Sequence, residues 1–195
     1  MKTIKTFLVI LFITSISISC NKDDDDPAPA PVLAPLQDPL AGFLTATGFS
    51  QKTTDQINAG TYEFGYSFIP LVNGKMTAIV VKIPDAHIGM RVTVWDKVAG
   101  TVLRTEIVDV PTANTEVTKS ITALDLVKDK EYFLTFNGDD WYDRRRTDNA
   151  NTVYPITVGD IRITSYAYIG GTAQAMPTTV QLNYYAGDCS FKFQK

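Results

Sequence analysis

Two cysteines and one histidine are all that 195 residues contain, and no basic excess is present: 18 Lys and Arg face 21 Asp and Glu, a formal net charge of −3. Two thiols allow at most one disulfide. Without a basic face to neutralise phosphates, no nucleic-acid partner is expected. Crossing the hydrocarbon core as a helix takes about 20 apolar residues. The apolar run from Phe7 to Ile13 ends at Thr14 and Ser15, and no other segment comes close. There is also no G-x-S-x-G elbow, no H-E-x-x-H and no phosphate-binding glycine loop. The hydrolase, zinc-peptidase and nucleotide-binding classes therefore lose their usual markers, and no cofactor is expected.

What is present begins with three zones: Lys2 and Lys5, the apolar run, and the small-residue stretch Ser17-Ile18-Ser19. Together they predict a secretory signal peptide over residues 1–19. Cys20 follows directly, where a lipoprotein carries the thiol that becomes acylated. Ordinary cleavage after Ser19 is the competing reading, since Ser17 and Ser19 suit it and the usual Leu three before the cysteine is absent. A cysteine at this one position in so cysteine-poor a chain favours lipidation. At about 0.8 kcal/mol per buried methylene, two or three acyl chains hold a domain permanently to a membrane, so a membrane partner is expected through the N-terminus. Once Cys20 is acylated, Cys189 is the remaining thiol and no intrachain disulfide is possible.

Behind Cys20 stand Asn21-Lys22 and the block Asp23-Asp24-Asp25-Asp26, like charges that cannot fold by themselves. Cys20 to Asp26 resembles the acidic export signal of Bacteroidota-type lipoproteins, which implies an outer-membrane protein facing the cell exterior. The other reading of the block is a solvated, repulsive tether. From Pro27 to Pro39 prolines recur among Ala, Val and Leu, predicting a semi-rigid, extended spacer, with an irregular first strand through Val32, Leu33 and Leu36 as the alternative. Residues 20–39 thus form a lipidated, acidic and Pro-rich tether. Cleavage before Cys20 removes two lysines and moves the formal charge from −3 to −5; the Lys22–Asp26 block holds −3 of that, leaving −2 for the remainder.

Residues 40–195 are enough for one substantial core and too few to argue for two. Alternation dominates them. Tyr62, Phe64, Tyr66 and Phe68 fall on one face of an extended segment and Glu63, Gly65 and Ser67 on the other, as in a half-buried strand. Asn73-Gly74 marks a tight turn, Met76 to Ile83 continues as a β-branched strand, and the pair reads as a hairpin. Further strands are expected at Met90–Asp96, Thr101–Val110, Glu116–Ile121, Glu131–Asn137, Ile161–Ile169, Thr179–Tyr184 and Ser190–Phe193, separated by turn residues such as Ala99-Gly100, Gly170-Gly171 and Gly187-Asp188. No long helical stripe with caps is evident. The pattern predicts an all-β fold, a single β-sandwich or jelly-roll-like domain of about nine short strands. The expected core includes Phe68, Ile79, Val81, Val92, Val94, Leu103, Leu124, Tyr132, Leu134, Phe136, Ile163 and Leu182.

The succession Gly74-Lys75-Met76-Thr77-Ala78-Ile79, Arg91-Val92-Thr93-Val94-Trp95-Asp96, Leu103, and Lys130-Glu131-Tyr132-Phe133-Leu134-Thr135-Phe136 resembles an uncharacterised extracellular β-sandwich family. The likeness spans roughly Phe64 to Asn137, under half the chain, and its motifs are structural. It implies the sandwich fold and an appended, glycan-related role, and it transfers no catalytic residue. Asp139 to Pro155 has no counterpart in that pattern.

The densest group of chemically useful side chains is Asp139, Asp140, Trp141, Tyr142, Asp143, Arg144, Arg145 and Arg146, which follows an apolar strand and reads as an exposed loop. Sugars are held by aromatic faces stacked on their C–H surfaces, flanked by carboxylates and guanidinium groups that bond the hydroxyls. This segment supplies all of these. The competing reading is structural: three acids neutralise three arginines, each surface pair contributing about 0–1 kcal/mol, while Trp141 or Tyr142 caps the core. Calcium ligands are available in Asp139, Asp140 and Asp143, but their spacing matches no established calcium loop, so no metal is expected. His87 lies in a turn-like segment, and Cys189 reads as a small buried core residue, so a Cys–His nucleophile is not expected. Glycoside hydrolysis needs only two carboxylates about 5 to 9 Å apart, a spacing that sequence does not give, so the acids of the segment are candidates in that minimal sense alone. The expectation is a non-catalytic, surface-exposed binding module for glycan, with a structural or adhesive envelope protein that meets extracellular protein partners as the alternative.

Overall fold

The computed structural model describes residues 34–195. The signal peptide, Cys20, the Asp23–Asp26 block and the spacer up to Leu33, including Val32, lie outside the described residues.

Strand β2 (Tyr62–Pro70) shows why alternation alone underestimates burial. Its aromatic face is buried, as expected, but so are Glu63, Gly65 and Ser67 on the opposite face. β2 is an interior strand, flanked by β10 (Ile161–Gly170) and β7 (Tyr132–Gly138) in a seven-stranded antiparallel sheet. Beyond β7 lie β4 (His87–Asp96) and the edge strand β5 (Thr101–Val110); β11 (Thr179–Gln181) and β9 (Ile156–Val158) pair with β10. The chain after β10 returns across the far face of this sheet. There Met176 packs on Trp95, Phe133 and Ala167, and Gln174 donates to the Thr93 and Thr105 hydroxyls. A carboxylate on a covered face must be fully bonded. Glu63 accepts from Arg91 at 2.7 Å and from the Thr135 hydroxyl at 2.6 Å.

The expected Asn73-Gly74 hairpin does not form. β3 (Gly74–Lys82) leaves the sheet of β2 and pairs instead with β13 (Asp188–Gln194) and β6 (Val117–Leu126). A hairpin would set both apolar faces side by side with nothing over them, whereas an arch stacks one on the other. Phe68 of β2 accordingly meets Phe191 of β13 at 4.6 Å between ring centroids.

A third sheet, β1 (Lys52–Gln56), β8 (Trp141–Arg145) and β12 (Tyr184–Ala186), also faces the large one, through Tyr66–Tyr185 and Phe64–Trp141 contacts. β12 passes into β13 at Gly187, whose φ is +87°. A Cβ there would sit 2.0 Å from Phe136 and 2.8 Å from Phe64, so only glycine fits the corner. The fold is thus all-β and sandwich-like, with antiparallel sheets that do not close. Among the described residues thirteen strands form where about nine were expected: β1, β8 and β9 were not anticipated, and Thr179–Tyr184 divides between β11 and β12.

One short helix was also missed, α1 (Pro39–Thr47). Its stop signals are local: Asp38 accepts from the Leu40 N–H at 3.2 Å, Pro39 opens the first turn, and Gly48 closes it in the left-handed region. Asp38 also accepts from Ser190 at 2.6 Å and Lys192 at 3.0 Å, and Gln37 bridges Phe193. The folded unit therefore begins before Leu40. Of the expected core, Leu103 on edge strand β5 and Leu182 between β11 and β12 are 38 % and 39 % exposed, and Leu124 is only partly buried. The other nine named residues are buried.

Candidate functional site

The segment read as an exposed loop is largely a strand. Asn137 and Gly138 end β7, Asp139 and Asp140 make the turn, and Trp141 to Arg145 form β8, paired with β1 on one side and β12 on the other. Charge concealed the pattern, because a strand with solvent access on one face tolerates acids and arginines there. Period-two alternation then sorts the eight residues.

Tyr142 and Arg144 point to one side. Tyr142 is 4 % exposed and its hydroxyl donates to Asn114 at 2.7 Å. The Arg144 guanidinium lies 5.3 Å from the Tyr142 ring centroid, grips both carboxylate oxygens of Asp188 and donates to Thr53. Burial pushes the Asp188 carboxyl above its usual range, a shift that Arg144 opposes without cancelling. Arg146, past the strand, is paired with the exposed Asp148. At the turn, Asp140 is 5 % exposed and accepts from the Asn58 N–H at 2.7 Å, while an Asp139 oxygen stands 3.7 Å from Nδ1 of His87. Asp143, which the calcium reading grouped with these two, is held elsewhere in a forked pair with Arg145 at 2.9 and 3.2 Å.

Trp141, Asp143 and Arg145 share the other face and open on a cleft of about 240 Å³ between the sheets. Its opposite wall is built from Tyr62 and Phe64 of β2 with Tyr166 and Tyr168 of β10; Tyr184 of β12 and Gln56 of β1 complete it. The rings brace one another. Trp141 meets Tyr62 and Phe64 edge-on at 5.4 and 5.3 Å, and Tyr168 meets Tyr62 at 5.9 Å. The Arg145 guanidinium sits 4.9 Å from the Tyr184 ring centroid. Burial, reinforced by neighbouring Tyr168, pushes the Tyr184 phenol well above its usual range, so it remains an O–H donor. The arrangement offers apolar ring faces interspersed with donors and acceptors. A larger groove of about 700 Å³, lined by residues such as Leu126, Val127 and Lys195, carries no aromatic side chain.

Three of the eight residues singled out in the sequence, Trp141, Asp143 and Arg145, therefore line the cleft, and Asp139, Asp140, Tyr142, Arg144 and Arg146 do not. The tyrosines of the wall were missed. Tyr62 and Phe64 read as ordinary core, and the available signal was the tyrosine-rich alternation Tyr166-x-Tyr168 together with Tyr184. Cys189 is buried in the core, and burial pushes its thiol up, so it offers no nucleophile.

No protein-family model and no curated protein matches this sequence. The motif residues of the extracellular-sandwich resemblance lie on or directly before β3, β4, β5 and β7, all structural strands.

Proposed function

We propose that this protein is an outer-membrane lipoprotein, anchored through Cys20 and displayed to the cell exterior, whose sandwich-like domain binds glycan without catalysis. The observation that carries the proposal is the cleft, where Trp141 of β8 and the Tyr62 and Tyr168 rings opposite frame a space the size of a sugar ring, with Asp143, Arg145 and phenolic hydroxyls at hand. Aromatic faces take the C–H surface of a sugar, and the polar groups select its hydroxyls. The family resemblance and the export motif agree with extracellular display.

A glycan-array screen of the purified protein beside Trp141→Ala tests the site. Loss of one stacking ring, about 1.4 kcal/mol, weakens binding about tenfold in a variant that melts as a folded protein. Absence of any glycan binding by the wild type, or full binding by the folded variant, refutes the proposal. Metabolic labelling with palmitate, lost in Cys20→Ser, tests the anchor.

The second reading, a structural or adhesive protein, draws on edge strand β5, where Val102, Leu103 and Ile107 are 44 %, 38 % and 50 % exposed. Lys119 of β6 donates to the Ile107 carbonyl at 2.7 Å and blunts that edge, which favours the cleft. Concentration-dependent self-association in sedimentation would reverse the preference.

A further inference from the structure

The turn that leads into β8 carries a second constellation, separate from the cleft. His87 opens β4 beside a register irregularity at Ile88 and Gly89, where a bulge re-aims the side chain. Asp139 and Asp140 come from the β7–β8 turn, which the β1–β2 connection holds in place: the Ala59 N–H donates to the Asp139 carbonyl and the Asn58 N–H to Asp140. One ligand atom from each of His87, Asp139 and Asp140 lies within 4.8 Å of the others.

Two features make this more than a group of acids. The imidazole Nδ1 faces an Asp139 oxygen at 3.7 Å, too far for a hydrogen bond and close to the spacing of two ligands of one ion. Ligand atoms 2.0–2.2 Å from zinc stand about 3.4 Å apart around a tetrahedron. Second, Asp140 is 5 % exposed and accepts its single hydrogen bond at Oδ1, and among the described residues no ammonium or guanidinium group pairs with it. A nearly buried carboxylate without a counter-ion is costly, and a cation removes that cost.

We propose that His87, Asp139 and Asp140 bind one divalent transition-metal ion of the zinc class, with solvent as the remaining ligand. The nitrogen donor selects zinc over calcium and magnesium, which take oxygen ligands. The ion ties the β3–β4 turn to the β7–β8 turn and so steadies the end of the sheet from which Trp141 enters the cleft.

His87 is the one histidine in the chain, so the imidazole ligand is unambiguous provided that no histidine tag is present. The experiment is calorimetric titration of chelator-stripped, untagged protein with Zn²⁺, Ca²⁺ and Mg²⁺, repeated on His87→Gln. One Zn²⁺ per chain is expected, with affinity at least tenfold weaker in His87→Gln, and a melting temperature about 5–10 °C higher at a hundredfold excess over Kd. The two proteins are expected to melt alike in chelator, which separates loss of a ligand from loss of fold. No Zn²⁺ uptake at micromolar concentration, equal uptake by His87→Gln, or binding of Ca²⁺ as tight as that of Zn²⁺ overturns the proposal.

Discussion

Alanine at Arg144 and alanine at Arg145 ought to behave as different experiments, although the residues are adjacent and chemically identical. Arg144 faces the core side of β8 and neutralises Asp188; the side chains are 17 % and 6 % exposed. Removing the guanidinium leaves a buried carboxylate unpaired, which costs about 3–5 kcal/mol. Partial solvent access places Arg144→Ala at the lower end, about 3 kcal/mol, or about 6–12 °C in melting temperature for a domain of this size. Arg145 pairs with Asp143 on the cleft side, at 31 % and 18 % exposure, so Arg145→Ala is expected to cost under about 1 kcal/mol of stability while weakening the proposed glycan binding. The pH dependence has a definite sign. Burial raises the Asp188 carboxyl in the fold, so the folded state holds a proton that the unfolded state has released, and stability from this group falls as pH rises through the folded value. Without Arg144 the folded value rises further. The deficit of Arg144→Ala against wild type is therefore widest at neutral pH and narrows on acidification, as Asp188 becomes neutral in the fold. Thermal melts at pH 7 and pH 5, run with a glycan-binding assay on both variants, check this. Equal destabilisation by the two substitutions, loss of glycan by a folded Arg144→Ala, or a deficit that widens in acid would refute the assignment of faces on β8.

At the corner between β12 and β13, Gly187→Ala is expected to cost about 3 kcal/mol, because it adds a Cβ against Phe136 at a backbone conformation that favours glycine; a melting temperature within 2 °C of wild type, on the order of 1 kcal/mol, would contradict this. Cys189 is expected to resist iodoacetamide at neutral pH until the protein unfolds, since burial both hides the thiol and holds it protonated. Mass spectrometry of the peptide that contains it, with and without denaturant, reads the difference, and rapid labelling of the native protein would show that the core around it is open.

Local periodicity carried the fold class. Alternation in Tyr62–Phe68, in Met90–Asp96 and in the strand before Gly138, punctuated by Gly and Asn turns, is a property of neighbouring residues and is visible without tertiary contacts. The capping signals of α1 were equally local, but Asp38-Pro39 was absorbed into the proline-rich spacer and Gly48 was not read as a helix stop. What the chain could not reveal was which strands become neighbours. Asn73-Gly74 has the chemistry of a hairpin, yet the aromatic face of β2 is better covered by a strand stacked over it than by one beside it, and that comparison involves β13 at the far end of the chain. Glu63 looked solvent-facing until Arg91 and Thr135 from two other strands met it.

The same division holds for the sites. Composition marked the stretch from Asp139 to Arg146 as unusual, because aromatic rings and both signs of charge are dense there. Its separation into a structural side with Tyr142 and Arg144, a cleft side with Trp141, Asp143 and Arg145, and a turn that meets His87 was decided by pairing with β1 and β12. Tyr62 and Tyr168 are distant in sequence and share one inward face because the antiparallel register of β2 and β10 sets them there, while Tyr184 meets them from β12 of the third sheet. Side-chain alternation is written into a strand by the geometry of its own backbone; partners are chosen by the burial of whole faces, a sum over the entire chain.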